Sequence, residues 1–195
     1  MRIAGIVLAA GAGERMGGAK QLLPFRDHTV LEAVIDAAVG SVLDEVVVVT
    51  GFHHDRVAAI VPEGLRVATN PDPGQGNLSS LRVGVEATGP ADAIVLLLGD
   101  HPEVRSDTVD ALIAAWSADR EWAAVCSYRG ELFHPFLMGP VCVAGIGSLS
   151  GRKPLWRYLV TDPPHPVLHV PIDRVVPIDV DTPDDYRRLT EGESS

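Results

Sequence analysis

Residues 3–20 read Ile3-Ala4-Gly5-Ile6-Val7-Leu8-Ala9-Ala10-Gly11-Ala12-Gly13-Glu14-Arg15-Met16-Gly17-Gly18-Ala19-Lys20. The run from Ile3 to Ala9 is continuously apolar, which predicts a strand covered on both faces rather than one with a wet side. It passes without a break into glycines. In an open α/β sheet, ligands bind beyond the carboxyl ends of the strands, so this loop stands where a ligand would. Small residues let backbone N–H groups approach phosphate oxygens, and Arg15 and Lys20 add positive charge at the same rim. A turn needed only for close strand-to-helix packing explains a bare Gly-x-Gly equally well, but it leaves those two cations without a role. The dinucleotide fingerprint Gly-x-Gly-x-x-Gly would need glycine where Met16 stands. A Walker A loop would need glycine before Lys20 and a hydroxyl after it, whereas Ala19 and Gln21 flank it.

Outward from this stretch, Glu45 to Thr50, Leu65 to Thr69, Ala93 to Leu98 and Ala123 to Tyr128 read as further strands. Between them Leu31, Val34, Ile35, Ala38 and Val39 share one helical face, as do Val109, Leu112, Ile113 and Trp116, with Ser106 as an N-cap candidate. Thr182-Pro183-Asp184-Asp185 combines a cap, a proline at the first helical position and acids in the first turn, and predicts a helix from there. Alternating strands and helices imply a three-layer α/β/α domain with a doubly wound, mostly parallel sheet. The proline-rich stretch from Arg129 to Pro177 is harder to assign and has room for an antiparallel excursion. Without a convincing linker, residues 1–190 read as one domain and 191–195 as a frayed tail.

Hydrophobic residues at 46% and charged residues at 22% of 195 give the balance of a chain with a real core. The longest apolar runs are strand-length, far short of a membrane span. The N-terminus lacks a basic region followed by a cleavable apolar stretch, and Cys126 and Cys142 form no Cys-x-x-Cys pair. The expectation is a cytoplasmic protein with reduced thiols, no membrane partner and no zinc site. A formal net charge of -10 with no dense Lys/Arg cluster argues against nucleic acid. It leaves room for phosphorylated small molecules held through a metal on carboxylates.

Three more polar clusters stand out. Leu96-Leu97-Leu98-Gly99-Asp100-His101-Pro102 ends an apolar strand on a lone carboxylate, placed either to face a ligand or to cap the next turn. His101 reads as a local packing or solvent contact and carries no assigned role. In Ile178-Asp179-Val180-Asp181, alternation puts Asp179 and Asp181 on one side of an extended segment. Two such carboxylates repel unless a cation or donor lies between them, and both precede the cap, so capping explains them poorly. The loop from Asn70-Pro71 through Gly74-Gln75-Gly76-Asn77-Leu78-Ser79-Ser80 runs into a helix, where Ser79 or Ser80 would serve as a cap or read a ligand.

The string Leu8-Ala9-Ala10-Gly11-x-Gly13-x-Arg15-Met16-Gly17-x-x-Lys20, followed by Leu22-Leu23-Pro24, resembles the motif of the MobA-like nucleotidyltransferases, whose fold is Rossmann-like and GT-A-like. The Ala-Ala-Gly form is similar to the branch of molybdenum cofactor cytidylyltransferases. The resemblance implies that Leu8, Ala9, Ala10, Gly11, Gly13, Arg15 and Lys20 wrap a nucleoside triphosphate, with Ala10 shaping the base pocket. It implies that Asn70, Gly76, Ser79 and Ser80 lie over base and ribose, and that Asp100 binds nucleotide and Mg²⁺. Asp181 is implied as the second metal ligand with Asp179 as its substitute, and His134-Pro135 as part of the acceptor side. Arg15, Lys20, Asp100 and Asp181 would be the catalytic set.

The implied reaction transfers CMP from CTP to the phosphate of molybdopterin, releasing pyrophosphate. A molybdoenzyme or a maturation factor would be the downstream partner. Arg152 and Lys153 stand where relatives carry an acid, which keeps the acceptor open. The competing readings are transfer from CTP or another triphosphate to a sugar phosphate or a methylerythritol-type phosphate, and a carrier that binds the cofactor without turnover.

Overall fold

The computed structural model describes residues 1–191. The chain opens with β1 (Ile3–Ala9), every residue of which is buried, as an all-apolar run requires. The glycine loop follows, then a small hairpin of β2 (Pro24–Phe25) and β3 (His28–Thr29), which leads into α1 (Val30–Val39). Thr29 caps α1 reciprocally: its hydroxyl accepts from the Glu32 N–H at 3.3 Å, and the Glu32 carboxylate accepts from the Thr29 N–H at 2.7 Å. Next come β4 (Glu45–Thr50), α2 (His54–Ala58), β5 (Arg66–Thr69), α3 (Asn77–Thr88) and β6 (Ala93–Leu98). The second half holds α4 (Ser106–Asp119), β7 (Ala123–Tyr128), β8 (Glu131–Met138), α5 (Pro140–Gly145), α6 (Pro154–Trp156), β9 (Val167–Ile172) and α7 (Pro183–Glu191).

Seven strands form one sheet in the order β5-β4-β1-β6-β8-β7-β9. All neighbours are parallel except those of β8, which runs antiparallel to both β6 and β7 and is the excursion expected after Arg129. Side chains alternate between two cores. On one face Val7, Val48, Val95 and Ala124 pack under Leu31, Val34 and Ile35 of α1 and Val109, Leu112 and Trp116 of α4. On the other, Ile6, Val47, Leu96 and Phe136 meet Leu81 of α3 and Cys142 of α5. This is the three-layer, mostly parallel architecture expected from the order of elements. Gly84 allows α3 to lie close to the sheet, since a methyl there would fall 2.6 Å from Ile6 Cγ2.

Several details differ from the sequence reading: Val39, at the end of α1, is 53% exposed rather than on the buried face, and β5 begins at Arg66 rather than Leu65. Ser106 is the first residue of α4 and makes no cap; Arg105 is the capping position and offers no side-chain bond. The last helix continues through Glu191, one residue into the expected tail, because its turns are held by i, i+3 pairs such as Arg188 to Asp185 at 2.6 Å. Residues 192–195 lie outside the described residues. Thr182 does cap α7, its hydroxyl accepting from the Asp185 N–H at 3.2 Å while the Asp185 carboxylate accepts from the Thr182 N–H at 2.8 Å. Among the described residues, no helix is long and apolar enough to cross a membrane.

Candidate active site

β1 and β6 are adjacent and parallel, so the glycine loop and the Asp100 turn emerge side by side at their carboxyl ends. The segment before α7 is stitched onto that edge. The Val180 N–H donates to Asp100 O at 3.1 Å and the Ile178 N–H to Glu103 Oε2 at 2.8 Å. Val180 itself is buried with Phe25, Val30 and Leu189. Three acids distant in sequence, Asp100, Asp179 and Asp181, therefore face one cavity of about 400 Å³.

The glycine loop forms the opposite wall. Gly13 has φ 67°, and a side chain there would meet Gly18 O at 1.8 Å, so the tight return of the loop demands glycine. Gln21, absent from the sequence expectations, is buried and braces the loop by donating to Ala9 O and Gly11 O, both at 3.3 Å. Its place directly after Lys20 was the only available signal.

The charges are already paired. Lys20 Nζ lies 2.5 Å from Asp100 Oδ2 and 2.7 Å from Asp181 Oδ1, and Arg15 reaches Asp181 Oδ2 at 2.6 Å. Burial alone would lower the Lys20 pKa, but Asp100 and Asp181 outweigh it and leave the ammonium more strongly protonated than usual. Both oxygens of Asp181 are thus taken by cations. Asp179 has different partners: the Asp181 N–H folds back onto Asp179 O at 3.0 Å, and the Asp179 carboxylate turns toward His101 at 3.7 Å. The two acids reach the same cavity, as their alternation requires, but act as two separate groups.

Of the residues expected to bind nucleotide, Leu8, Ala10, Gly11, Gly13, Arg15, Lys20, Ser80 and Asp100 line this cavity. Ala9 and Asn70 are buried behind it. Asn70 spends its amide on Ser79 Oγ at 2.8 Å and Ser80 Oγ at 3.0 Å, bracing the start of α3 rather than facing a ligand. Ser79 donates to Gly76 O at 2.8 Å, and neither serine caps α3, whose capping residue is Gly76.

A second cavity of about 680 Å³ adjoins the first, sharing Leu8, Asn77, Leu98 and Asp179 with it. Phe133, Phe136 and Trp156 make it aromatic, and Lys153 adds a cation. Gly76 and His134 line it too, whereas Pro135, joined to His134 by a cis peptide bond, does not. His134 stacks on Phe136 at 3.8 Å between ring centroids. Burial, reinforced by His101 nearby, holds its pKa well below 6.5. A histidine depressed in the folded state opposes folding once the unfolded chain takes up the proton. The stability His134 permits is therefore complete above about pH 6.5 and declines as pH falls below it. In an NMR titration the His134 ring signals should stay at their neutral positions between pH 8 and 5.5; a midpoint near 6.5 would contradict the assignment.

The residues present fit a divalent cation. Asp100, His101 and Asp179 place one ligand atom each within 4.8 Å of one another, and among the described residues both ring nitrogens of buried His101 lack a hydrogen-bond partner.

Known proteins share this sequence pattern and this fold. Residues 5–166 match the family model described as the MobA-like NTP transferase domain. The chain is 29% identical over 185 residues to the molybdenum cofactor cytidylyltransferase of Escherichia coli strain K12, covering 93% of this chain and 92% of that one. It is 31% identical over 165 residues to the purine catabolism protein PucB of Bacillus subtilis strain 168, covering 80% and 79%. The solved structure of Rv0371c from Mycobacterium tuberculosis H37Rv in complex with manganese superposes with a TM-score of 0.85 at 38% identity, over 98% of this chain and 99% of that one.

Proposed function

The chain belongs to the MobA-like NTP transferase family, and we propose that it transfers CMP from CTP to the phosphate of molybdopterin, with release of pyrophosphate. The observation that carries this reading is the junction of the two cavities. Asp100 lines the first, His101 the second and Asp179 both. An α-phosphorus between a nucleotide in the first and an acceptor in the second would sit beside these groups. The second cavity suits a flat heterocycle bearing a phosphate, because aromatic faces stack on the ring and Lys153 meets the anion. The likeness to the E. coli molybdenum cofactor cytidylyltransferase supports the choice of acceptor, and PucB, a purine catabolism protein, shows how far relatives of similar identity diverge.

An acceptor phosphate oxygen attacks the α-phosphorus of CTP, the bond to the β-phosphate oxygen breaks, and pyrophosphate leaves with that electron pair. A phosphate monoester with a second pKa of about 6 is already a dianion near neutrality, so no general base is required. The chain's work is positioning and charge neutralisation. The backbone of residues 11–13 would cradle the phosphates. Lys20 and Arg15 would exchange their carboxylate partners for phosphate oxygens and stabilise the leaving pyrophosphate. A divalent cation held by Asp100 and the Asp179–Asp181 segment would offset the triphosphate charge. The direct test is pyrophosphate release measured for the four nucleoside triphosphates against molybdopterin, a sugar phosphate and methylerythritol phosphate. Turnover only with an acceptor other than molybdopterin would reassign the substrate.

CTP should be preferred over GTP. Ala10 is buried, lines the first cavity and is tied at its backbone by the Phe52 N–H, which donates to Ala10 O at 3.3 Å. With its backbone fixed, the Ala10 methyl narrows the space beside a base, which penalises a purine more. A steric difference of that size is worth about 10- to 200-fold in kcat/KM. Ala10→Gly should narrow the CTP:GTP ratio. A parent enzyme that uses both equally would rule out the cytidylyl assignment.

A further inference from the structure

His101 is 1% exposed, yet among the described residues neither ring nitrogen has a hydrogen-bond partner. Buried polar groups in folded proteins are nearly always satisfied, so a histidine serving only as packing would be expected to donate to a carbonyl. Its ring is fixed instead by stacking on Phe133, with centroids 4.9 Å apart and planes at 15°, and by an edge contact with His134 at 5.6 Å. That posture aims Nε2 between two carboxylates, 3.8 Å from Asp100 Oδ1 and 3.7 Å from Asp179 Oδ1. Both separations exceed a hydrogen bond. The three ligand atoms lie within 4.8 Å of one another, a gap that one ion would close by drawing them inward, since octahedral donors at about 2.1 Å from a metal stand about 3 Å apart when adjacent and about 4.2 Å when opposite. The other oxygen of Asp100 and both oxygens of Asp181 are occupied by Lys20 and Arg15, so the atoms facing His101 are the ones left free of cations.

We propose that His101 Nε2 is a direct ligand, with Asp100 and Asp179, of the divalent cation at this junction, and that the site prefers Mn²⁺ to Mg²⁺. The proposal rests on the nucleotidyl-transfer reading only for the cation's role, not for its binding. Mg²⁺ is hard and favours an all-oxygen shell, whereas an imidazole nitrogen raises affinity for first-row transition ions. The Asp100–Asp179–His101 set thus differs from the Asp100–Asp181 pair by one nitrogen and one acid.

Pulsed EPR of Mn²⁺ bound to the nucleotide-free protein reads this directly, because a coordinated imidazole gives a ¹⁴N coupling that carboxylates and water cannot. The parent should show that coupling and bind Mn²⁺ at least about tenfold more tightly than Mg²⁺. His101→Gln should lose the coupling and about tenfold or more in Mn²⁺ affinity, with a smaller change for Mg²⁺. Asp179→Asn, at a side chain 45% exposed, should weaken Mn²⁺ binding while keeping the coupling. If His101→Gln does not fold, ¹⁵N-histidine labelling of the parent must replace the ¹⁴N pattern by a ¹⁵N one. No bound Mn²⁺, bound Mn²⁺ without nitrogen coupling, or coupling that survives His101→Gln would overturn the assignment. Failure of every triphosphate and acceptor to release pyrophosphate, with the coupling intact, would overturn the transfer reading alone.

Discussion

Asp100→Asn should lower kcat for pyrophosphate release by at least about 10³-fold, equivalent to roughly 4 kcal/mol of barrier. Asn has nearly the same volume and keeps an oxygen, so the turn after β6 retains its shape, including the Gly99 N–H to Leu8 O bond at 2.8 Å and the Val180 N–H to Asp100 O bond at 3.1 Å. What disappears is one negative charge at the point where the cavities meet. In the free protein that charge neutralises Lys20 at 2.5 Å; in the proposed reaction it helps hold the cation against the triphosphate. Lys20 keeps Asp181 as a partner in the variant, so circular dichroism should be unchanged and the thermal midpoint only modestly shifted. A loss below about tenfold, roughly 1.4 kcal/mol, with normal folding would remove Asp100 from the metal site. A large loss with normal Mn²⁺ binding would instead make it a positioning residue for Lys20.

The parts of the fold most legible in the sequence were those governed by local pattern. The run Ile3–Ala9 has no polar residue, and a strand buried on both faces was its one reasonable outcome; Thr182-Pro183 announced α7 because cap, proline and acids act within one turn. Ser106 misled because its residue type suits a cap, while the capping position of α4 falls on Arg105, directly after Val104, which is buried in the core. The site was legible where a loop supplies its own reason, as at Gly13 and Lys20. It was not legible where the reason is tertiary. Nothing near Asn70 in sequence says that its amide is consumed by Ser79 and Ser80. Nothing near His101 announces that Phe133 stacks on it and that Asp179 arrives 3.7 Å from its ring, since these partners lie more than thirty and more than seventy residues away.

Lys20→Ala should cost the protein twice, and the two losses have opposite dependence on divalent cation. In the free protein it removes the ammonium between Asp100 and Asp181 and leaves two carboxylates facing each other, one 20% and the other 32% exposed. Charged hydrogen bonds of this kind are worth about 1.5–3 kcal/mol, and partial exposure places the expected destabilisation toward the lower end. Because the folded-state pKa of Lys20 is raised, the contribution is fully present below about pH 10.5 and is lost only as pH rises through the higher native value, so assays near neutrality report it whole. Mn²⁺ or Mg²⁺ should restore much of that stability by supplying the missing positive charge, and the gain in thermal midpoint on adding metal should be larger in the variant than in the parent. Triphosphate binding responds the other way, because in the proposed complex the cation cannot replace an ammonium that would contact the phosphates from the loop side. Calorimetric titration should therefore show CTP affinity reduced by about 10²-fold or more at saturating metal, with cytidine affinity nearly unchanged. Equal losses for CTP and cytidine would mean that the loop from Gly11 to Gly18 has collapsed, and that Lys20 holds the site's shape rather than its ligand's charge.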